Sequence, residues 1–310
     1  MNYLLILAGF SILILGGNWL LKSAVSMSLK MRIPKIVIGM TVVSFATSAP
    51  ELIVSLKAAM DGHADIALGN VIGSNIANLG FVLAIVIIIS TIKVEKSFYT
   101  IDWPVMMFSS IMLYIFLSTG GTVERWEGAV LFTLLVVFLV YLLKYQKTAV
   151  IDEMPEDDED FSMGRTLGYL FLGGLGLWGG SELLIEGAVN LAQDFGVSKR
   201  IIGVTIISIG TSVPELAASL VAVIRKEKAI SLGNLLGSNV FNILAVVGIT
   251  SMVTPMRASD PGLIDFDILW MLFFALSIFP LVFAPGRMKL SWREGLILLG
   301  AYIVFIVMLI

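Results

Sequence analysis

The sequence has no cysteine, a single histidine and few charged residues, and each shortage excludes a class of protein. Without cysteine there are no disulfides, no zinc–thiolate site and no cysteine nucleophile. Lys, Arg, Asp and Glu make up 14% of the 310 residues, whereas a soluble domain carries roughly 25%. The net charge of −3 has no nucleic-acid signature. We therefore expect a membrane protein.

Apolar residues make up 58% of the chain and form runs long enough to cross a bilayer as helices. Ten such runs lie at 3–21, 36–59, 67–91, 100–119, 127–144, 166–188, 200–224, 231–253, 264–284 and 294–310. The first run lacks the basic n-region and cleavage pattern of a signal peptide, so we interpret it as a retained helix. The predicted fold class is an all-α membrane protein with ten transmembrane helices.

A stretch of 42 residues occurs twice, at 39–80 and 203–244, with a constant offset of 164. The first copy contains GMTVVSFATSAPE and GNVIGSNIAN, and the second contains GVTIISIGTSVPE and GNLLGSNVFN. Each half of the chain holds five apolar runs, and an odd number makes the second half enter from the opposite side. The sequence thus predicts two inverted-topology five-helix repeats, 1–145 and 165–310, an arrangement common in secondary transporters.

Basic residues predict the orientation of the chain in the membrane. With the N-terminus outside, the inner loops and helix ends hold fifteen Lys and Arg, and the outer ones hold five. This positive-inside bias predicts that both termini face outward and that the acidic linker 146–164 is cytoplasmic. The acidic run 152–161 lacks the ligand spacing of an EF-hand, so we interpret it as solvated rather than as a calcium sensor. His63 lies in a predicted outer loop, where a solvated side chain is expected.

Glu51 and Glu215 occupy the same place in the two copies, each near the middle of an apolar run. An ionisable side chain at the bilayer centre costs about 2.5–3.5 kcal/mol. The sequence places no basic residue in the middle of another run to pair with either one. A bound cation, or a proton, is the natural countercharge.

A proline precedes each glutamate. Pro50 and Pro214 cannot donate a hydrogen bond to the carbonyl four residues back, so the carbonyls of Ala46 and Gly210 are predicted to lose their helical partner. Such backbone is tolerated at membrane depth only where another group satisfies it. The alternative interpretation of each proline is a packing kink.

Hydroxyl and amide side chains surround the glutamates at helical spacings of three and four residues, which places them on shared faces. Carboxylate, hydroxyl, amide and backbone oxygens suit a hard cation such as calcium, and the lack of thiolate or imidazole disfavours zinc and copper. Asn70, Asn75, Asn234 and Asn239 flank this set and either touch the ion or brace the helices. The candidate cation ligands are Glu51, Glu215, Thr47, Thr211, Ser44, Ser208, Ser48, Ser212, Ser74, Ser238, Asn78 and Asn242.

These residues resemble the two alpha repeats of the cation/calcium exchanger superfamily, and within it the sodium/calcium exchangers of the prokaryotic type. The resemblance implies two inverted five-helix halves with the site at the midplane. It also implies that Glu51 and Glu215 bind calcium and sodium and that Thr47 and Thr211 coordinate. Further roles implied by the family are backbone ligands near Ser44 and Ser208, sodium sites at Ser74 and Ser238, and a central polar pair at Asn78 and Asn242.

The chain departs from a common family pattern at the central pair. Many members carry an aspartate at one of these positions, whereas this chain has asparagine at both. Two carboxylates neutralise one calcium ion and leave three sodium ions with one excess positive charge. Three-to-one exchange would therefore be electrogenic. The missing aspartate also weakens the case for potassium co-transport.

The sequence as a whole predicts a secondary antiporter that exchanges sodium for calcium by alternating access. Sliding of the first and sixth runs, helped by Gly16, Gly17, Gly179 and Gly180, is the hypothesis for how access switches. Calcium/proton exchange through the same glutamates is the alternative, and a passive channel or a structural membrane protein are further ones. An enzyme is not expected, because neither a membrane-depth histidine nor an H-E-x-x-H motif is present. No cofactor and no obligate protein partner are inferred.

Overall fold

The computed structural model describes residues 2–145, 162–195, 210–283 and 288–309. Ten helices lie within these residues. They are α1 Asn2–Met31, α2 Lys35–Met60, α3 Ala64–Ile89, α4 Phe98–Gly120, α5 Arg125–Tyr145, α6 Met163–Asp194, α7 Val213–Ile224, α8 Lys228–Val253, α9 Leu263–Phe283 and α10 Trp292–Leu309.

Five of these helices contain a π-helical turn, in which the backbone hydrogen-bond ladder widens by one residue. The turns lie at Gly39–Val43 in α2, Asn78–Val82 in α3, Phe98–Asp102 in α4, Asn242–Val247 in α8 and Leu263–Asp267 in α9. Asn78 and Asn242, which correspond in the sequence repeat, each begin such a turn. The two copies of the repeat therefore change their helical geometry at the same residue.

The apolar runs predicted most of these helices to within a few residues, but α1 and α6 are longer than predicted. α1 continues ten residues past the predicted end at 21, through a stretch rich in serine. In that stretch Ser23 Oγ donates to Thr166 O at 2.9 Å, and Ser26 Oγ lies 2.9 Å from Thr166 Oγ1. Hydropathy alone ends the apolar run where these serines begin. The helix continues because hydrogen bonds to α6 satisfy their hydroxyls.

Eight of the described helices are long and apolar enough to cross a membrane. The exceptions are α6, whose apolar stretch is interrupted by Glu182 and Glu186, and α7, which is 12 residues long. The linker 146–164 lies largely outside the described residues, and the seventh predicted run, 200–224, is described from residue 210 onward. Ser162 lies directly before α6, and its side-chain oxygen accepts a hydrogen bond from Arg165 N in the first turn of that helix.

Helices α2, α3 and α8, which carry the sequence repeat, are the most buried spans. Between 61% and 83% of their apolar windows is buried, against 28–33% in the other spans. A helix that is apolar on every side and mostly buried lies inside a membrane protein rather than against lipid. Apart from those in and before α7, the described polar residues of the repeat therefore lie in the most buried of the eight spans.

The chain divides into two compact units, and each unit takes segments from both sequence halves. The first comprises Met1–Thr47 and Val140–Asn234, and the second comprises Ser48–Leu139 and Leu235–Ile310. The halves predicted from the repeat and the compact units are therefore different divisions of the chain.

The first unit is built on the pairing of α1 with α6. An added Cβ on Gly16 would lie 2.8 Å from Leu177 N, and one on Gly180 would lie 2.8 Å from Leu13 N. Since rising residue numbers in α1 meet falling ones in α6, the two helices run antiparallel. Gly17 instead faces Val221 of α7, and a Cβ on Gly179 would meet no atom within 4 Å. Of the four glycines expected to line this contact, Gly16 and Gly180 do so.

The second unit contains α3, α4, α9 and α10 and most of α5 and α8, and its contacts come in corresponding pairs. Gly295 of α10 packs on the Ala84 carbonyl of α3, and Gly128 of α5 packs on the Gly248 carbonyl of α8. Ala84 and Gly248 lie four residues beyond the two repeated stretches and are separated by the same offset of 164. The contact of α10 with α3 therefore corresponds to the contact of α5 with α8.

Four two-residue strands, which the all-α prediction did not include, join the ends of helices in the second unit. β1 Ile92–Lys93 pairs antiparallel with β4 Lys289–Leu290, with Ile92 opposite Leu290. β2 Thr122–Val123 pairs antiparallel with β3 Met256–Arg257, with Thr122 opposite Arg257. These strands follow or precede helices, where the extended backbone gains hydrogen-bond partners that the helix no longer supplies.

Candidate cation-binding residues

In the first unit, Asn234 is the centre of a buried polar network. Its Oδ1 accepts a hydrogen bond from Thr47 Oγ1 at 3.2 Å, and its Nδ2 donates to Ser219 Oγ at 3.0 Å. Ser44 Oγ lies 2.9 Å from the carbonyl oxygen of Asn234 and 2.8 Å from that of Gly39. The structure thus brings together Ser44 and Thr47, two predicted ligands of the first copy, through an asparagine of the second copy.

The second glutamate, Glu215, is completely buried in the first turn of α7. Ser212 occupies the N-cap position of this helix without a side-chain capping bond, and Pro214 lies within the first turn, where a proline needs no backbone donor. The carbonyl of Gly210 accepts a hydrogen bond from Ser181 Oγ of α6 at 3.0 Å. The carbonyl predicted to lose its helical partner at Pro214 is therefore satisfied by a side chain of α6.

In the second unit, Glu51 is 1% exposed and lies in the long helix α2. Here Pro50 lies inside a continuous α-helix, Ser44–Met60, so the two prolines occupy different local structures. Ser55, one helical turn after Glu51, accepts a hydrogen bond from Asn70 Nδ2 at 3.0 Å. This bond is the counterpart of the one from Asn234 to Ser219, and it links α3 to α2.

The two central asparagines, Asn78 and Asn242, are both fully buried in the second unit. Asn242 Nδ2 donates to Asn75 Oδ1 at 3.0 Å. Its own Oδ1 is buried and has no hydrogen-bond partner among the described residues, and the same holds for both side-chain atoms of Asn78. A buried amide oxygen without a donor is costly unless another electropositive group approaches it, and a cation is such a group.

The predicted ligands are divided between the two units. The first unit holds Ser44, Thr47, Thr211, Ser212 and Glu215, and the second holds Ser48, Glu51, Ser74, Asn78, Ser238 and Asn242. Ser208 lies outside the described residues. Every described member is buried except Thr211, which is partly buried.

The predicted ligands are mainly uncharged oxygens, and Glu51 and Glu215 are the two charged side chains among them. The described residues contain no group of three or more His, Cys, Asp or Glu side chains placed to hold one metal ion. A cation bound by the predicted ligands would therefore be coordinated mainly by hydroxyl, amide and backbone oxygens. Calcium accepts six to eight such oxygens in flexible geometry.

The sequence interpretation did not single out two aspartates, Asp102 and Asp267, that each bury a carboxylate oxygen. Asp102 is 1% exposed, and one oxygen each of Asp102 and Asp267 is buried without a hydrogen-bond partner in the described part of the chain. Each ends a π-helical turn at the start of a span, in α4 and α9. The flanking letters FYTID and LIDFD are too different for the repeat to be recognised from sequence.

Comparisons with known proteins agree over nearly the whole chain. The family model described as sodium/calcium exchanger protein matches residues 1–144 and 165–310. The putative antiporter CaxA of Alkalimonas amylolytica is 35% identical over 308 residues, covering 96% of this chain and 95% of that protein. The sodium/calcium exchanger MaX1 of Methanosarcina acetivorans is 26% identical over 347 residues, covering 99% and 98%.

A solved structure of the sodium–calcium exchanger NCX_Mj, soaked without sodium or calcium, superposes with a TM-score of 0.84 at 28% identity. The match covers 100% of this chain and 99% of that one. The resemblance to the sodium/calcium exchangers that the repeated motifs predicted is thereby confirmed. The chain is a multi-pass, nearly all-helical membrane protein that belongs to the sodium/calcium exchanger family of cation exchangers.

Proposed function

We propose that this chain is a secondary antiporter that exchanges sodium for calcium, and that Glu51 and Glu215 bind the transported cation. The observation that carries the proposal is the burial of both glutamates, 1% and 0% exposed, in otherwise apolar helices. A carboxylate at that depth costs about 2.5–3.5 kcal/mol on insertion scales, and a bound cation offsets this cost. The name of the relative MaX1 supports sodium and calcium as the exchanged ions.

The other proposed ligands supply uncharged oxygens to the same cation. Hydroxyls of Thr47, Ser48, Thr211 and Ser212, backbone oxygens near Ser44 and Ser208, and the side chains of Ser74, Ser238, Asn78 and Asn242 complete this set. The unpartnered amide oxygens of Asn78 and Asn242 support the choice of that pair. Hard oxygens favour calcium and sodium over zinc or copper.

Coupling follows from the charge of the ligands. Two carboxylates are neutralised by one calcium ion or by sodium ions, and either form can reorient. The empty form would carry two negative charges across a dry barrier, which costs several kcal/mol per charge. The empty transporter therefore reorients poorly, and calcium moves one way only when sodium moves the other.

For the architecture we propose ten spans in two inverted repeats, 1–145 and 165–310, joined by a cytoplasmic linker at 146–164, with both termini outside. The antiparallel pairing of α1 with α6 supports this, because these are the first helices of the two halves. The corresponding contacts of α10 with α3 and of α5 with α8 support it as well. Sliding of α1 and α6 past the other helices would switch access.

The proposal is tested by calcium-45 uptake into proteoliposomes loaded with sodium, with potassium or with acid. We expect uptake only with internal sodium, and its loss in Glu51→Gln, because the variant cannot neutralise the cation. Glu182→Gln, which removes an exposed carboxylate of α6, is the matched control and keeps the uptake. Equal uptake by the Glu51→Gln variant would contradict the role of this glutamate.

The acid-loaded vesicles decide between sodium and proton coupling. Glu51 and Glu215 can each take up a proton, so a calcium/proton antiporter would use the same residues. Uptake driven equally well by internal acid in the absence of sodium would replace sodium with protons in the proposal. Calcium flux independent of any trans cation would instead describe a channel.

A further inference from the structure

Asn75 uses both ends of its side-chain amide in the second unit. Its Nδ2 donates to the carbonyl oxygen of Asn239 at 3.3 Å and lies 3.7 Å from Met271 Sδ. Its Oδ1 accepts the hydrogen bond from Asn242 Nδ2 at 3.0 Å. Asn75 is 1% exposed, so water does not compete for these bonds.

These bonds fix which end of the Asn242 amide is available to a cation. With its NH2 group engaged by Asn75, Asn242 leaves its buried, unpartnered Oδ1 as the remaining polar atom. An amide oxygen is a calcium ligand, whereas an amide NH2 is a donor and repels a cation. Without Asn75, this contact would no longer prevent the Asn242 amide from rotating by 180° and exchanging the positions of its oxygen and its NH2 group.

We propose that Asn75 is a positioning residue that orients Asn242 toward the transported cation and selects an amide rather than an ionised carboxylate at position 242. This inference rests on the proposed function, in which Asn242 is a cation ligand. It accounts for the absence of an aspartate at this central position, and it limits the formal charge of the site to the two glutamates.

An amide is favoured at position 242 because the side-chain amide of Asn75 cannot rotate by 180° without losing its hydrogen bonds. If its amide flipped, its Oδ1 would face the carbonyl oxygen of Asn239, and two acceptors would meet without a proton between them. A carboxylate at position 242 in the present geometry would place an oxygen about 3.0 Å from Asn75 Oδ1. Both arrangements bury an unsatisfied acceptor in a low-dielectric interior, which is costly.

The reciprocal pair, Asn239 and Asn78, lacks this contact and supplies the control. Asn239, the equivalent of Asn75, donates to Leu235 O of its own helix at 2.7 Å. Asn78, the equivalent of Asn242, has no hydrogen-bond partner on either side-chain atom among the described residues. Position 78 is therefore not held by Asn239 in the way that Asn75 holds position 242.

The first test is calcium binding to the purified protein in detergent, measured by isothermal titration calorimetry. We expect Asn75→Ala to weaken calcium binding about 10-fold to 100-fold, the usual effect of removing a group that orients a metal ligand. Asn239→Ala should stay within about twofold of wild type by the same comparison. Asn75→Ser, which replaces the amide with a smaller polar side chain, serves as a second variant if the alanine change impairs folding.

The second test measures the selection itself by introducing the carboxylate. We expect Asn242→Asp to weaken calcium binding in the wild-type background and to strengthen it when combined with Asn75→Ala. Asn78→Asp should have the same effect with and without Asn239→Ala. A purely structural role of Asn75 would give additive losses and no reversal of sign.

The possible failures are distinguishable. Wild-type affinity in both Asn75→Ala and Asn75→Ser would overturn the positioning role while the proposed exchange stands. Unchanged calcium binding in Glu51→Gln would overturn the cation site, and the role of Asn75 with it. The calorimetry does not depend on whether sodium or protons drive transport.

Discussion

Asn70 and Asn234 make the same hydrogen bond in the two copies of the repeat. Each donates from Nδ2 to a serine hydroxyl at 3.0 Å, Asn70 to Ser55 and Asn234 to Ser219. The sequence left open whether these asparagines touch the ion or brace the helices. Their donors are directed at hydroxyls one helical turn after each glutamate, which supports bracing.

We expect Asn234→Ala to destabilise the protein more than Asn70→Ala. A buried hydrogen bond contributes about 0.5–1.5 kcal/mol. Asn70→Ala removes the bond to Ser55, whereas Asn234→Ala removes the bond to Ser219 and the acceptor for Thr47. Thermal unfolding in detergent measures the difference, with wild type as the reference. Equal unfolding temperatures for the two variants would show that the bond from Thr47 contributes nothing.

At the scale of helices, the contact between α1 and α6 depends on individual glycines. On Gly180 an added Cβ would lie 2.8 Å from Leu13 N and 3.0 Å from Gly9 O. These atoms belong to the backbone, so the helices themselves would have to separate. The neighbouring Gly179 has no atom within 4 Å of its virtual Cβ. Two adjacent glycines thus have opposite roles.

Gly180→Ala is therefore expected to cost about 1–3 kcal/mol of stability, the usual effect of overpacking, and to slow exchange if α1 and α6 slide. Gly179→Ala should keep full exchange and change stability by at most about 1 kcal/mol, toward greater stability, because alanine is the better helix former. Calcium-45 uptake and thermal unfolding of the two variants are compared side by side. A Gly180→Ala variant that matches Gly179→Ala in both measurements would rule out a requirement for close approach.

Sequence predicts helices well where apolar residues decide their length, and less well where polar contacts do. The ends of α4 and α9 lie within two residues of the predicted ones. α1 extends further because Ser23 and Ser26 bond to Thr166, a residue 140 or more positions away that no local pattern reveals. The π-helical turns at Asn78 and Asn242 have no local signal for the same reason, since tertiary packing selects them.

The candidate site shows the same division between what is local and what is distant. The repeat and its buried glutamates follow from the sequence, because a carboxylate in an apolar run is visible without a structure. The partners of the ligands do not, because Asn234 meets Thr47 and Asn75 meets Asn242 across more than 160 residues. Identical motifs also hide a difference that packing creates: Asn75 holds Asn242, whereas Asn239 bonds to its own helix.

For the whole molecule, the absence of cysteine makes the proposed orientation directly measurable. A single introduced cysteine is the one thiol in the chain, so a membrane-impermeant maleimide reports its side without background labelling. His63, between α2 and α3, and Ser162, before α6, are both exposed and suit this purpose. The excess of fifteen basic residues over five predicts that position 63 is outside and position 162 inside.

We expect His63→Cys to be labelled in intact cells, and Ser162→Cys to be labelled only after the membrane is permeabilised. The reason is electrostatic, since Lys and Arg near the ends of spans are retained on the cytoplasmic side. Calcium-45 uptake by each variant confirms that the labelled protein is the working one. The reverse labelling pattern would invert the orientation, and labelling of both variants in intact cells would mean that an odd number of spans does not separate the two loops. Because three spans, α3, α4 and α5, lie between the two positions, this result also tests the odd spacing on which the inverted repeat depends.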